Sequence, residues 1–301
     1  MVNLVSAYES FLLNMKHASA NTVASYMRDI RQFSAYLSEV EELPAESCDR
    51  DCICRYVQHL TNQGKSPATI SRTIASLKSF YRFCVDSGLL AENPVHNIPQ
   101  PKAEKKLPQI LTGREVELLL EQPKCVDVKG YRDKAMLELL YATGMRRAEL
   151  IGLLDANVGI DELKVLGKRN KERVIPFARE LSEWIARYRE VRERTGATSP
   201  EGAFFTRPDG KPLYPMLVER VVHGSLDRVG GSQRRSPHVL RHTFASAMLN
   251  GGAQLNSVKE LLGHSTLAAT QVYTHITFGD LKSNYEHAHP RALKKGGRYG
   301  S

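Results

Sequence analysis

Residues 92–112 read "ENPVHNIPQPKAEKKLPQILT". Prolines at 94, 99, 101 and 108 interrupt this stretch, and its Lys/Glu run carries no apolar period. Proline lacks the amide donor and clashes with the preceding helical turn, so no helix can run through such a segment. Whatever lies before it must bury its apolar faces separately from whatever lies after. A chain of 301 residues is long enough to form two such bodies. The boundary is expected near residue 103, giving domains 1–102 and 103–301 joined by a linker over about 89–110.

Before the break the apolar residues recur at helical spacing. "VNLVSAYESFLLNMK" places Leu4, Tyr8, Phe11 and Leu12 on one face. "SANTVASYMRDIRQFSAYLSEV" opens on short polar residues suited to capping and repeats Val23, Tyr26, Ile30, Phe33 and Leu37. A third helix covers "RDCICRYVQHLTNQG" and stops at Gly64. The fourth starts with Pro67 in its first turn, carries Ile70, Ile74, Leu77, Tyr81 and Cys84, and stops at Gly88. Four helices with short connections form a bundle. After the break the pattern predicts helix from Thr112 to Met145, then a hairpin in "ELKVLGKRNKERVIPF", then helices to the end. The expected fold class is mainly α with a small antiparallel sheet.

Composition excludes several classes. With 42% hydrophobic and 25% charged residues the chain is globular, not disordered. No apolar run reaches membrane-span length, and the N-terminus lacks a basic segment followed by a long apolar core. Five cysteines, an odd number, suit a reducing cytoplasm, where the chain is expected to reside. Cys48, Cys52 and Cys54 lack a fourth ligand at a zinc spacing, so no metal is expected. The net charge of +9 is unevenly placed: residues 1–102 hold ten Lys/Arg and ten Asp/Glu, so the second body carries the whole surplus. Such a surplus attracts polyanions, nucleic acid foremost.

In that basic half, four short stretches each set a cation or imidazole beside a turn or helix end. They hold Arg146, Lys168, the group His238, Arg241 and His242, and His264; Tyr273 follows. These types suit attack on a phosphodiester. Two guanidiniums grip the non-bridging oxygens where charge develops. A phenol of pKa about 10 needs positive potential and a base, for which imidazole serves. Lysine supplies the leaving hydroxyl's proton, and a tyrosyl-phosphate product keeps the step reversible. Each element also has a plain reading: a solvated arginine pair, a phosphate-contacting turn, a helix-end histidine, a packed tyrosine. His238 and His242 stand at zinc-ligand spacing on a helix, but Val239 occupies the place of the zinc-protease glutamate.

Order decides among these readings. "YATGMRRAEL", "PHVLRHTFAS" and "LLGHSTLAATQVYTHI" follow one another as the boxes of the tyrosine recombinases, or integrase family, do, and the chain resembles that family over nearly its whole length. "SRTIASLKSFYRFC", "NPVHNIP", "GKRNKERVIPF" and "YEHAHPRA" resemble its Xer branch. The resemblance implies that Arg146 and Arg241 bind the scissile phosphate and that Tyr273 attacks it. Lys168 would protonate the leaving 5′-oxygen, with Lys171 as the alternative acid. His238 would assist proton transfer, His264 would hydrogen-bond a phosphate oxygen, and Glu149 would orient His or Arg from behind. No cofactor is implied. Arg147, Ala148 and Arg169 depart from the family pattern, and "DANVGIDELKVL" is about two residues short of it.

The resemblance further makes the first body a SAM-like core-binding domain that completes a clamp on duplex DNA. Asn21, Thr22, Lys65, Thr69, Arg72 and Lys78 are its contact candidates, joined by Arg169 and Lys171 in the second body. The expected partner is double-stranded DNA with an inverted-repeat site, bound by a homo- or hetero-tetramer on two duplexes. A simple two-site synapse is expected, without an arm-binding domain, and a second recombinase or a translocase is a partner the family admits. The segment "FGDLKSNYEHAHPRALKK", with Leu281 and Tyr285 on one face, is expected to dock on a neighbouring protomer. A DNA-binding regulator without strand cleavage, or a zinc hydrolase using His238, His242 and His264, are the competing readings.

Overall fold

The computed structural model describes residues 2–14, 18–101, 109–167, 172–229, 236–263 and 278–293. Its chain divides into two units, Met1–Lys106 and Leu107–Ser301. In the first, helices α1 (Val2–Asn14), α2 (Ala20–Tyr36), α3 (Arg50–Asn62) and α4 (Pro67–Asp86) form the expected bundle. Helices α2 and α4 start alike. Ser19 and Ser66 are their N-caps, accepting from the amides of Thr22 and Thr69, each at 3.2 Å. Gly64 and Gly88, at φ of 72° and 69°, supply the left-handed turns that follow α3 and α4. Apolar faces meet in a core around Ile30, Phe33, Ile53, Tyr56, Leu77 and Tyr81.

Within that core sits one carboxylate. Asp29 on α2 is 1% exposed and accepts from Arg72 Nη1 at 2.5 Å and Ser76 Oγ at 2.7 Å, both on α4. Arg72 also donates to Ser25 at 2.9 Å. A buried carboxylate requires such partners, and here they lock α2 to α4. Arg72, a DNA-contact candidate on sequence grounds, is thus engaged inside the unit.

The second unit is built on α6 (Val128–Thr143), buried without a break from Ala135 to Thr143. A stretch buried on all sides is central, and the charged Lys134 and Glu138 that go in with it pair at 3.0 Å. The helical stretch expected from Thr112 to Met145 is made of two helices: α5 (Gly113–Glu121) ends before Pro123, and Asp127 caps α6 by accepting from Gly130 N at 2.7 Å. Short helix α7 (Arg147–Ile151) follows, then the expected hairpin of β1 (Glu162–Leu166) and β2 (Glu172–Pro176). Its strands are antiparallel, with Leu163 opposite Ile175 and Val165 opposite Arg173. Helices α8 (Arg179–Arg194), α9 (Pro215–Val229), α10 (Pro237–Asn250), α11 (Leu255–Leu262), α12 (Phe278–Ala288) and α13 (Pro290–Leu293) complete the unit.

Helix α12 lies in the segment expected to dock on a neighbouring protomer. Leu281 and Tyr285 do share a face, but they are 6% and 1% exposed within the core of their own unit. The face expected to seek a neighbour is already covered. Tyr285 stacks on His289 with centroids 4.9 Å apart, and Arg291 pairs with Glu138 at 3.1 Å and with Glu180. Lys282 pairs with Asp161 at 2.6 Å. No helix among the described residues is long and apolar enough to cross a membrane.

Two outcomes are expected. Asp29→Ala leaves Arg72 and Ser76 without their shared acceptor and lowers the first unit's stability by about 2 kcal/mol in urea melts read by circular dichroism. His289 is fully buried, and burial pushes its pKa down to about 3. The folded chain therefore refuses a proton that the unfolded chain accepts below about 6.5. The stabilisation is complete above 6.5 and is lost as pH falls toward 3. His289→Phe should flatten that slope in urea melts followed at Trp184, the chain's one tryptophan, which lies in the second unit.

Candidate active site

Helix α6 ends where the first box begins. Gly144 takes φ 60°, and its amide donates to Leu140 O at 3.1 Å. A Cβ there would stand 2.5 Å from Phe244 Cδ1, so only glycine fits. The chain then turns through buried Met145, and Arg146 becomes the N-cap of α7. Three residues on, Glu149 reaches back: its Oε2 accepts from Arg146 N at 2.7 Å and its Oε1 from Arg146 Nη1 at 2.8 Å. Strand β2 adds Arg173, whose Nη1 and Nη2 donate to the same two oxygens at 2.9 and 2.8 Å. Four donors saturate one carboxylate. Burial alone would raise the Glu149 pKa, but the hydrogen bonds and charge of Arg173, with those of Arg146, hold it below the ordinary value.

The C-terminal end of α11 receives what remains of these guanidiniums. Arg173 Nε donates to Leu261 O at 2.8 Å, Arg241 Nη2 to Leu262 O at 2.7 Å, and Arg146 Nη2 to Gly263 O at 3.0 Å. Three consecutive carbonyls thus meet three different arginines. The last carbonyls of a helix lack intrahelical partners and carry partial negative charge, so cations belong there. Arg241 Nη1 also donates to Gly144 O at 2.7 Å, tying the end of α6 to the end of α11. Arg241 is 7% exposed, and burial together with the Arg146 charge lowers its pKa to about 10. It remains cationic at neutral pH. Three guanidiniums against one carboxylate leave a local surplus that an anion can take up.

His238 lies in the first turn of α10, behind Pro237, and is exposed. Partial burial of its ring lowers its pKa, and the charges of His242, Arg241, Arg147 and Arg146 lower it further. An imidazole held below its usual range is neutral at pH 7 and can accept a proton. Arg147 turns aside to pair with Glu219 on α9.

The chain is similar to known proteins. Residues 109–279 fit the model of the phage integrase family, and residues 5–88 fit that of the phage integrase N-terminal SAM-like domain. The chain belongs to the phage integrase family. It is a site-specific tyrosine recombinase of the Xer type. Tyrosine recombinase XerC of Chlorobaculum tepidum is 38% identical, covering 93% of this chain and 92% of its own. Tyrosine recombinase XerD of Staphylococcus aureus is 36% identical over 97% of this chain and 100% of its own. Among solved structures, XerH site-specific recombinase bound to palindromic difH substrate shares the fold at TM-score 0.72 and 19% identity. The match covers 96% of this chain and 82% of that one. A lambda integrase dimer bound to a core site gives TM-score 0.69 at 18% identity, covering 92% and 99%.

Arg146, Arg241, Glu149 and His238 are brought to one end of the recombinase's second unit. Lys168, Arg169, Lys171, His264 and Tyr273 lie outside the described residues; the described chain stops at Gly167 and at Gly263 on their near sides. Sequence reasoning missed two participants. Arg173 was visible only as one of five basic residues between 164 and 173. Strand alternation would have pointed to it: Arg173 shares a face of β2 with buried Ile175, and its side chain, 10% exposed, is paired. Glu219 had no local signal, since its partner Arg147 is far away in sequence.

Gly144→Ala forces a side chain into the left-handed region and against Phe244. It should cost about 2 kcal/mol or more in thermal melts followed at Trp184, and the displaced carbonyl should loosen Arg241.

Proposed function

We propose that the chain cleaves and rejoins duplex DNA at an inverted-repeat site through a 3′-phosphotyrosyl intermediate. The observation that carries this reading is the convergence of Arg146 and Arg241 on the end of α11, one residue before the segment that holds His264 and Tyr273. In this reading both guanidiniums hold the non-bridging oxygens of the scissile phosphate and stabilise its transition state. The Tyr273 oxygen attacks phosphorus, its proton passing toward neutral His238. The bond from phosphorus to the 5′-oxygen breaks, and Lys168, or Lys171 from the same turn, protonates the leaving oxygen. His264 donates to a phosphate oxygen. Attack by a second 5′-hydroxyl reverses the step and joins a new strand.

The first unit supplies DNA contacts from the starts of α2 and α4. Asn21 and Lys65 are exposed there, Lys78 is exposed farther along α4, and Thr22 and Thr69 stand beside the two serine caps. Solved structures that share the fold include a lambda integrase tetramer bound to a Holliday junction. An assembly of four protomers on two duplexes, of one chain or of two, follows as the working unit. Trans docking through Leu281 and Tyr285 would first require α12 to leave its present seat. Chromosome-dimer resolution, inversion and mobile-element movement are all served by this chemistry.

The test uses a nicked duplex carrying inverted repeats taken from beside the encoding locus, incubated with the chain in EDTA. The wild-type chain should form a protease-sensitive covalent adduct, and Tyr273→Phe should form none while still shifting the DNA in a gel. Binding without an adduct would instead favour a DNA-binding regulator, and an adduct in Tyr273→Phe would move the nucleophile elsewhere.

A further inference from the structure

Arg173 is the third guanidinium at the end of α11, and its position differs in kind from the other two. Its side chain is 10% exposed, whereas that of Arg146 is 35% exposed. All three of its nitrogens are engaged within the protein, with Leu261 O and with both oxygens of Glu149. Arg173 is therefore poorly placed to touch a phosphate. Yet it shares its carboxylate partner with Arg146, the guanidinium most open to an incoming anion. A carboxylate within 3 Å of a single arginine cancels most of that arginine's charge toward a ligand; a carboxylate shared between two does not. The Nη1 atom of Arg173 also lies 3.0 Å from where a Cβ on Gly263 would sit, so the arginine fills the space that a side chain there would need.

We propose that Arg173 is a positioning residue that neutralises Glu149, leaving the charge of Arg146 available to the scissile phosphate. It also ties the hairpin to the last turn of α11. Arg173 thereby links the segment that holds Lys168 and Lys171 to the segment that holds His264 and Tyr273, and its own contact with DNA is not required. The inference rests on the phosphotyrosyl reading and adds a residue to it.

The experiment measures the single-turnover rate of covalent adduct formation on the nicked duplex, with protein in excess. Arg173→Gln, Arg173→Lys and the double variant Glu149→Gln/Arg173→Gln are compared with wild type. Melts followed at Trp184 and gel shifts on intact duplex report folding and binding separately. Arg173→Gln should slow adduct formation about tenfold or more with gel-shift affinity little changed. Arg173→Lys, which keeps the charge but not the fork, should recover most of the rate. The double variant, which removes the charge that needs neutralising, should cleave faster than Arg173→Gln. A lysine variant as slow as Arg173→Gln, or a double variant slower still, overturns the proposal. So does an unaffected Arg173→Gln. If Arg173→Gln does not fold, the lysine and double variants decide: both cleaving supports the proposal and both folded but inert sinks it. A wild-type chain that forms no adduct overturns the phosphotyrosyl reading itself, a different result from any of these.

Discussion

Everything at the candidate site depends on the C-terminal end of α11 accepting from three arginines at once. Like charges this close repel, and burying Arg241 to 7% exposure would be costly in isolation. Three consecutive carbonyls and the Glu149 carboxylate make the cluster tolerable, because each guanidinium finds a fixed negative partner. The elements that meet there come from distant parts of the chain: the end of α6 with α7, strand β2, the first turns of α10, and α11. Their assembly is therefore a statement about the fold. The electrostatic surplus that suits a phosphate is the same feature that holds five elements together.

The two units solve the problem of buried charge differently. In the first, one carboxylate, Asp29, is satisfied by one arginine and a serine, and the unit carries no net charge over residues 1–102. In the second, Glu138 pairs with Lys134 and Arg291, Glu149 with Arg146 and Arg173, and the surplus is cationic. Neutral pairing serves cohesion alone. Incomplete pairing leaves potential for a ligand, at the cost of self-repulsion in its absence.

Much of the first unit was legible because its helices are amphipathic and punctuated. Ile70, Ile74, Leu77, Tyr81 and Cys84 repeat at helical spacing and are all buried, and Gly64 and Gly88 stop the chain where left-handed turns occur. The hairpin was legible from two strand-like runs flanking a basic stretch that opens at Gly167. The break between α5 and α6 was not, because apolar residues continue on both sides and only Pro123 and Asp127 mark it. The pairing of Arg72 with Asp29 was not legible because the two stand 43 residues apart; Arg72 keeps 38% of its side chain exposed beside it. Leu281 and Tyr285 were rightly placed on one face, but periodicity names a face and never its partner. At the site, Arg146 and Arg241 were found through their boxes, whereas Arg173 needed the strand register to show that it points inward.

The central position of α6 has a further consequence. A helix packed on every side cannot shift without disturbing the whole core, since interiors are dense and deform little. Arg146 follows its end through Gly144 and Met145, and Arg241 on α10 donates to the Gly144 carbonyl, so the geometry of both inherits that stiffness. A substrate arriving there meets dipoles already oriented, with little reorganisation left to perform. Timing must then be imposed from elsewhere. Any control that decides when strands are cut has to act on what is attached to this rigid axis, because the axis itself has only one arrangement to offer.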